Sequence, residues 1–312
     1  MLTVLVGLLG ALVYGAADFL GGLGALRTSS LRVTGVAAVA GLVALLAALP
    51  LVDSEWSASA LLFGGISGVS GAIAISLLYA CLAIGPMSIL SPVTAVVSAV
   101  VPMTWGLLGG ERLGLIGYLA LVVALVAVVL VGFTPGEHAV RPSTRGLLMA
   151  VGSGAMIGVF LVLIDQTPED SGLVPLIANR TVNAAIMLVL LVGLALLARR
   201  RRMPQALVPG GDGVPPLEGG AAPGSSAGSA RFVGGSGWLR FAIACGVVDA
   251  AANTLLLVGI RIGDLTVMSV LTAMYPAGTI LLAAVVLRER IARLQVVGLV
   301  LALASAGMLA LA

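Results

Sequence analysis

The chain is predicted to be an all-α membrane protein, with ten transmembrane helices arranged as two inverted five-helix repeats. Three observations lead to that fold class. Hydrophobic residues make up 60% of the sequence and charged residues 9%, with a mean hydropathy of +1.19. Soluble domains carry about 25% charged residues, so lipid rather than water is the main solvent here. Ten windows of roughly 20 apolar residues can be placed, each able to cross ~30 Å of hydrocarbon. Finally, residues 67–113 recur without a gap as residues 245–291, and 14 of the 47 positions are identical. A repeat within so apolar a chain points to a duplicated membrane protein, and duplicated membrane folds are typically transporters.

In order, the windows lie at 2–24, 31–51, 58–82, 87–109, 115–134, 146–166, 173–198, 238–260, 265–286 and 294–312. The first starts at Met1-Leu2 without a basic segment before it and is long enough to span, so it does not read as a cleavable signal. Its Gly7-Leu8-Leu9 and Gly15-Ala16 match Gly146-Leu147-Leu148 and Gly154-Ala155 in the sixth window, an offset of 139. Arg32 at the start of the second corresponds to Arg180 in the seventh, an offset of 148. The third and fourth correspond to the eighth and ninth at 178, through Ile84-Gly85 and Ile262-Gly263, Ser91 and Ser269, Thr94 and Thr272, and Glu111-Arg112 and Glu289-Arg290. The jump from 148 to 178 falls on residues 199–237. Their Gly, Pro, Ser and Ala content cannot bury a core, which predicts a disordered loop. The halves are therefore 1–134 and 146–312, joined by a connecting loop at 135–145.

Arginine placement predicts the orientation. The 16 basic residues are all arginine, and the net charge is +3. Odd-numbered connections and their flanks carry Arg27, Arg32, Arg141, Arg145, Arg199 to Arg202, Arg231, Arg240, Arg288, Arg290 and Arg293, whereas the even-numbered ones carry Arg112 and Arg261. The positive-inside rule puts the odd connections in the cytoplasm, with the 199–237 loop among them, and both termini outside. Five spans per half then require the halves to be inverted relative to each other.

The stretches VYGAADFLGG (13–22), IGPMSILSPVTA (84–95) and GERLG (110–114), repeated as IGDLTVMSVLTAMYP (262–276), RER and LQVVGLVLALASAG (294–307), resemble the drug/metabolite transporter superfamily, in particular its ten-helix EamA branch. The resemblance covers the chain apart from 199–237. It implies a carrier of small organic solutes with its site between the halves, near mid-membrane, and export rather than uptake. It also implies a bacterial inner-membrane location. One departure stands out: relatives of this type are usually drawn with both termini inside, whereas the arginines here place them outside.

An ionisable side chain inside a span costs on the order of 3 kcal/mol, so each one is a candidate for function. Asp18 lies one turn from Tyr14, and Asp249 one turn from Asn253; four-residue spacing puts each pair on one helix face. The repeat equivalents of Asp249 and Asn253 are Gly71 and Ile75, so the fold itself does not require polarity there. Asp249 reads either as a proton-coupling or cation-binding carboxylate, or as the ion-pair partner of Arg180. Asp18 either addresses a cavity or reaches the cytoplasmic interface. Arg180, flanked by Asn179 and Asn183, can clamp a carboxylate or phosphate, pair with Asp165 or Asp249, or snorkel outward. Among Tyr79, Trp105 and Tyr275, only Tyr275 beside Pro276 joins the site. Pro92, Pro102 and Pro276 either open backbone toward a cavity or make static kinks. Glu111 and Glu289 suit helix N-termini and read as structural.

The expected site is therefore Asp249, Asn253, Asp18, Tyr14, Arg180, Asn183 and Tyr275. Cys81 and Cys245 read as small core residues, and His138 in a loop has no metal-ligand set around it. With no phosphate-binding loop and no metal set, no cofactor is expected. The expected partners are a small organic solute, protons and membrane lipids, with no nucleic acid; the protein acts as a monomer or homodimer. An intramembrane enzyme lacks a nucleophile with a base on a neighbouring turn, which leaves a passive channel or scaffold as the other class.

Overall fold

The computed structural model describes residues 1–84, 87–132, 143–202, 237–286 and 292–311. The helices are α1 (Leu2–Ala25), α2 (Ser30–Ala48, extended by a 3-10 turn at Leu49–Leu51), α3 (Ala58–Ile84), α4 (Met87–Leu108) and α5 (Leu115–Gly132). After them come α6 (Thr144–Asp165), a 3-10 turn at Glu169–Ser171, α7 (Val174–Arg202), α8 (Gly237–Ile262), α9 (Leu265–Thr272), α10 (Tyr275–Val286) and α11 (Arg293–Leu311). Among the described residues nine spans are long and apolar enough to cross a membrane, with Leu265–Val286 counted as one, and α4 adds a shorter apolar stretch. A helix satisfies its own backbone hydrogen bonds, which is why an apolar chain in lipid resolves into this architecture.

Two sequence expectations need correction. The ninth window is not one helix: α9 ends at Thr272 and α10 starts at Tyr275. Pro276 has no N–H for the Thr272 carbonyl, and the chain tightens there through Met274 N to Leu271 O at 3.1 Å and Ala277 N to Met274 O at 2.9 Å. Secondly, Arg199 to Arg202 do not begin a disordered loop but extend α7 to Arg202, where cations suit a helix C-terminus. Residues 203–236 lie outside the described residues, as do Gly85, His138, Arg141, Arg231, Arg288, Glu289, Arg290 and the side chain of Tyr79. Trp105 faces outward, half exposed, in the manner of an interface anchor.

The most extensive helix contacts run between the first five spans and the last five, and exchanging the halves leaves the set unchanged. Thus α1 packs on α8 and α10, as α6 packs on α3 and α4; α2 lies on α8, as α7 lies on α3. The helices approach closely because small residues line the seams. Gly15 lies against the Gly278–Thr279 backbone, Gly154 against Thr94 and Val97, and Gly246 against Ala37. Side chains register the seams. Thr3 Oγ1 donates to Ile262 O (3.2 Å), Ser70 Oγ to Met156 O (2.6 Å), and Ser153 Oγ to Ala74 O (2.9 Å). Thr94 Oγ1 reaches Ala150 O (3.2 Å) and Ser269 Oγ reaches Ala99 O (3.3 Å).

The even-numbered connections are tied together by polar contacts. Arg261 Nη1 donates to Thr167 O (2.9 Å), and its Nη2 to Thr167 Oγ1 (2.8 Å) and Ser171 Oγ (3.2 Å). Ser54 Oγ accepts from Leu173 N (3.1 Å), and Glu55 N donates to Asp170 O (2.9 Å). Gly172, at φ +48°, lets that turn press against Asp53 and Ser54. Glu111 accepts from Leu265 N (2.9 Å) and Thr266 N (3.0 Å), so it caps α9 in the other half rather than the helix that follows it. Gly110, at φ 105°, turns the chain to deliver it. Asp264, at the N-cap of α9, makes no side-chain cap of its own. Its carboxyl is raised above the ordinary aspartate range, by desolvation first and then by the Glu111 charge.

Three outcomes follow for stability in detergent, read by thermal unfolding. Gly246→Leu should cost about 1–3 kcal/mol or prevent folding, because the added side chain meets the Ala37 backbone. Gly193→Ala, with open space around it, should be neutral or slightly stabilising. For Asp264 the folded-state value is raised, so its ionised form opposes folding above the usual aspartate range, and that opposition disappears as the pH falls below it. Asp264→Asn should therefore raise the melting temperature at neutral pH, with the gain vanishing toward pH ~4. A gain that persists in acid would remove the electrostatic account.

Candidate functional site

The cavity that organises the polar residues has a volume of about 980 Å³. It is lined by Ala17, Asp18, Gly21, Gly22 and Ala25 of α1, Leu31, Val33, Thr34, Ala37 and Ala38 of α2, and Ile75, Ser76 and Leu78 of α3. Arg180, Asn183 and Met187 of α7, Cys245 and Asp249 of α8, and Tyr275 of α10 complete it. The stretches from α1, α2, α3 and α8 all lie in the part of their helix nearest an odd-numbered connection. The cavity therefore lies on that side of the bundle, opposite the tied even-numbered connections.

One hydrogen-bonded chain crosses its inner end. Tyr14 OH donates to Asn253 Oδ1 (2.8 Å). Asn253 Nδ2 donates to Asp249 O (2.8 Å) and to Asp249 Oδ2 (3.3 Å). Asp249 Oδ2 in turn forms an ion pair with Arg180 Nη2, the side chains being 25% and 14% exposed respectively. Of the partners open to Arg180, the structure selects Asp249; Asp165 instead accepts from Gln166 Nε2 at 2.9 Å. The remaining carboxylate is different. Asp18 is exposed toward the cavity and makes no hydrogen bond or ion pair among the described residues.

All seven expected residues are thus in one place. Asp18, Arg180, Asn183, Asp249 and Tyr275 line the cavity, and Tyr14 and Asn253 lock its end. Asn179 turns away, donating through Nδ2 to Ser67 Oγ of α3 at 2.8 Å. The asymmetry of the repeat also has a geometric meaning. A Cβ on Gly71, the counterpart of Asp249, would lie 3.3 Å from Asn183 Nδ2, so the glycine gives that amide its room. Ile75, the counterpart of Asn253, is part of the apolar wall.

Sequence reasoning missed Thr34, Ser76, Met187 and Cys245. Cys245 lines the cavity and is not core, whereas Cys81 is buried as expected. Ser76 and its repeat partner Thr254 each bond back to their own helix, Ser76 Oγ to Ala72 O and Thr254 Oγ1 to Ala250 O. For them a polar residue in a span was a weak signal, since the helix satisfies the hydroxyl itself.

Breaking a buried ion pair leaves an uncompensated charge, at a cost of several kcal/mol when the site is dry. Here both groups retain some access to the cavity. Arg180→Met or Asp249→Leu alone should therefore destabilise by about 2 kcal/mol, and the double substitution should recover most of the loss. Additive losses in the double variant, measured by thermal unfolding, would show that the pair is not coupled.

Comparison with known proteins gives a consistent picture. Residues 224–311 match the model of the EamA-like transporter family. A solved structure titled "Crystal structure of protein" is similar over 99% of this chain and 98% of its own, with a TM-score of 0.67 and 19% identity, a likeness of fold. No curated protein matches the sequence. The C-terminal part of the chain is thus similar to the EamA-like transporter family, and the nine long apolar helices among the described residues fit a multi-pass membrane protein.

Proposed function

We propose that the protein is a secondary active carrier that exports small organic solutes of metabolite, amino-acid or drug type across a bacterial inner membrane by alternating access, coupled to protons. The observation that carries this reading is a cavity among the spans that holds Asp18, Arg180 and Asp249, while side-chain and backbone contacts tie the even-numbered connections together. A passive channel would need both ends open at once, whereas a carrier exposes its site to one side at a time.

Inversion of the halves is supported by the register of the seams. Pairs Thr94–Ala150 and Val101–Gly158 run α4 and α6 in parallel. Pairs Ser269–Ala99 and Thr266–Met103 run α9 antiparallel to α4. Gly7 on Leu271 and Gly15 on Thr279 run α1 parallel with α9 and α10. These relations put α1 and its repeat partner α6 in opposite directions. The arginine bias supports a cytoplasmic odd side, so in this reading the cavity belongs to an inward-facing state. In this reading Arg261 is a closing contact of the outer face, not a topology signal. Asp18 and Asp249 are the carboxylates available to carry the coupling proton, Asp18 the more readily because no hydrogen bond or ion pair holds it among the described residues.

The test is reconstitution of the full chain into liposomes with a metabolite-panel flux assay, with and without a pH gradient. Accumulation against a solute gradient that collapses when the pH gradient is dissipated is expected; flux that only ever runs downhill would point to a channel. Cys245 supplies the second readout in a Cys81→Ala background. An impermeant maleimide should label it from the odd-numbered side, and Arg261→Gln should increase labelling from the even-numbered side. Unchanged labelling in that variant would remove Arg261 from the closing contact.

A further inference from the structure

We propose that the solute bound in this cavity is an organic cation, an ammonium group on a small apolar body, held at Asp18. The inference rests on the carrier reading for its transport step but not for its binding step.

The charge inventory of the cavity carries it. Of the lining residues only Asp18, Arg180 and Asp249 are charged. Arg180 and Asp249 neutralise each other, and Asn253 and Tyr14 fix the carboxylate of that pair from behind. What remains is one negative charge, localised on Asp18, facing the cavity with no hydrogen-bond or ion-pair partner among the described residues. A carboxylate between spans is costly in isolation, and a ligand that brings the opposite charge removes that cost. A neutral ligand leaves it in place. An anion adds repulsion, and among the described lining residues the one cation is a guanidinium already engaged. A zwitterion would satisfy Asp18 but needs a second cation for its carboxylate, so it must compete with Asp249 for Arg180.

The rest of the wall fits the non-polar part of such a solute. Ala17, Ala37, Ala38, Ile75 and Leu78 are apolar, most of them small, and Tyr275 adds an aromatic side chain to the wall. About 980 Å³ leaves room for a body of one ring or a short alkyl chain together with water around the charge. The position of Asp18 is also specific to one half. At the offset of 139 its counterpart is Ile157, so the repeat partner α6 has no carboxylate at the equivalent position.

The experiment uses the full chain and matched probes that differ only in charge. Benzyltrimethylammonium and benzylamine, phenylalanine, and phenylacetate form one set; butylamine, valine and butyrate form another. Binding is read as thermal stabilisation of the purified protein and movement as uptake into proteoliposomes. The cations of at least one set should stabilise the protein and the other members should not. Asp18→Asn should weaken cation binding by about tenfold or more, Asp18→Glu should restore most of it, and Gly193→Ala should leave it unchanged. Because the probes are compared on each variant that folds, a fall in Asp18→Asn stability alone does not imitate the result. Cation binding without movement supports the site and overturns the carrier reading. Movement of the zwitterions or anions in preference to the cations retains the carrier and overturns the inference. Binding of no cation, or equal cation binding to Asp18→Asn, overturns it as well.

Discussion

A guanidinium placed among lipid-embedded helices has to be matched in charge, and the way Arg180 is matched governs the centre of this protein. Its partner, Asp249, comes from the next helix in the chain, and the ion pair fixes α7 against α8. Asn253 and Tyr14 then extend that constraint to α1. Three helices from both halves are thereby held around one point by groups that would each be unfavourable alone. The same pairing sets the electrostatics of the cavity. With Arg180 and Asp249 cancelled, the free charge among the described residues of the cavity wall is the one on Asp18.

Around that point the protein uses close packing instead of polar bonds. Gly15, Gly154 and Gly246 allow backbone-to-backbone seams, and because the seams link opposite halves neither half buries its surface without the other. Polar contacts reappear where water is available, at the even-numbered connections. There Arg261 gathers the α6–α7 turn, and Glu111 reaches from the end of α4 to the first amides of α9. Both contacts join segments distant in sequence, so side chains, together with the Glu55 N to Asp170 O backbone bond, hold this face outside the glycine seams.

The spans were legible in the sequence because transfer into lipid depends on local composition, and the helices observed stay within a few residues of the windows. The duplication was legible because it survives as an offset. Asp18, Arg180 and Asp249 were legible as exceptions, since a charge in an apolar run is visible without a structure. Which charges meet was not, as nothing local distinguishes Asp249 from Asp165 as the partner of Arg180. The same limit hid the cap that Glu111 supplies to the other half, and the use of Cys245 and Thr34 as cavity wall. The break between α9 and α10 had a local cue in Pro276, but Pro92 and Pro102 carry the same cue and remain inside α4. The difference lies in the neighbours that replace the lost backbone bond, and those are tertiary.

That break connects the two levels of the structure. At its outer end α9 starts on the Glu111 carboxylate, and after a short run the chain loosens at Ala273–Met274 and restarts with Tyr275 facing the cavity. The short helix α9 is buried along most of its length, between α1 and α4, so it can move only as a unit. A displacement of its capped end must be taken up either by its packing or by the irregular turn before Tyr275. Packed interiors yield in discrete steps, while an interrupted helix has already given up the hydrogen bonds that would resist bending. The turn is the softer of the two. It lies between the capped end of α9 and Tyr275 in the cavity wall, in one half of a frame whose other half keeps α4 unbroken.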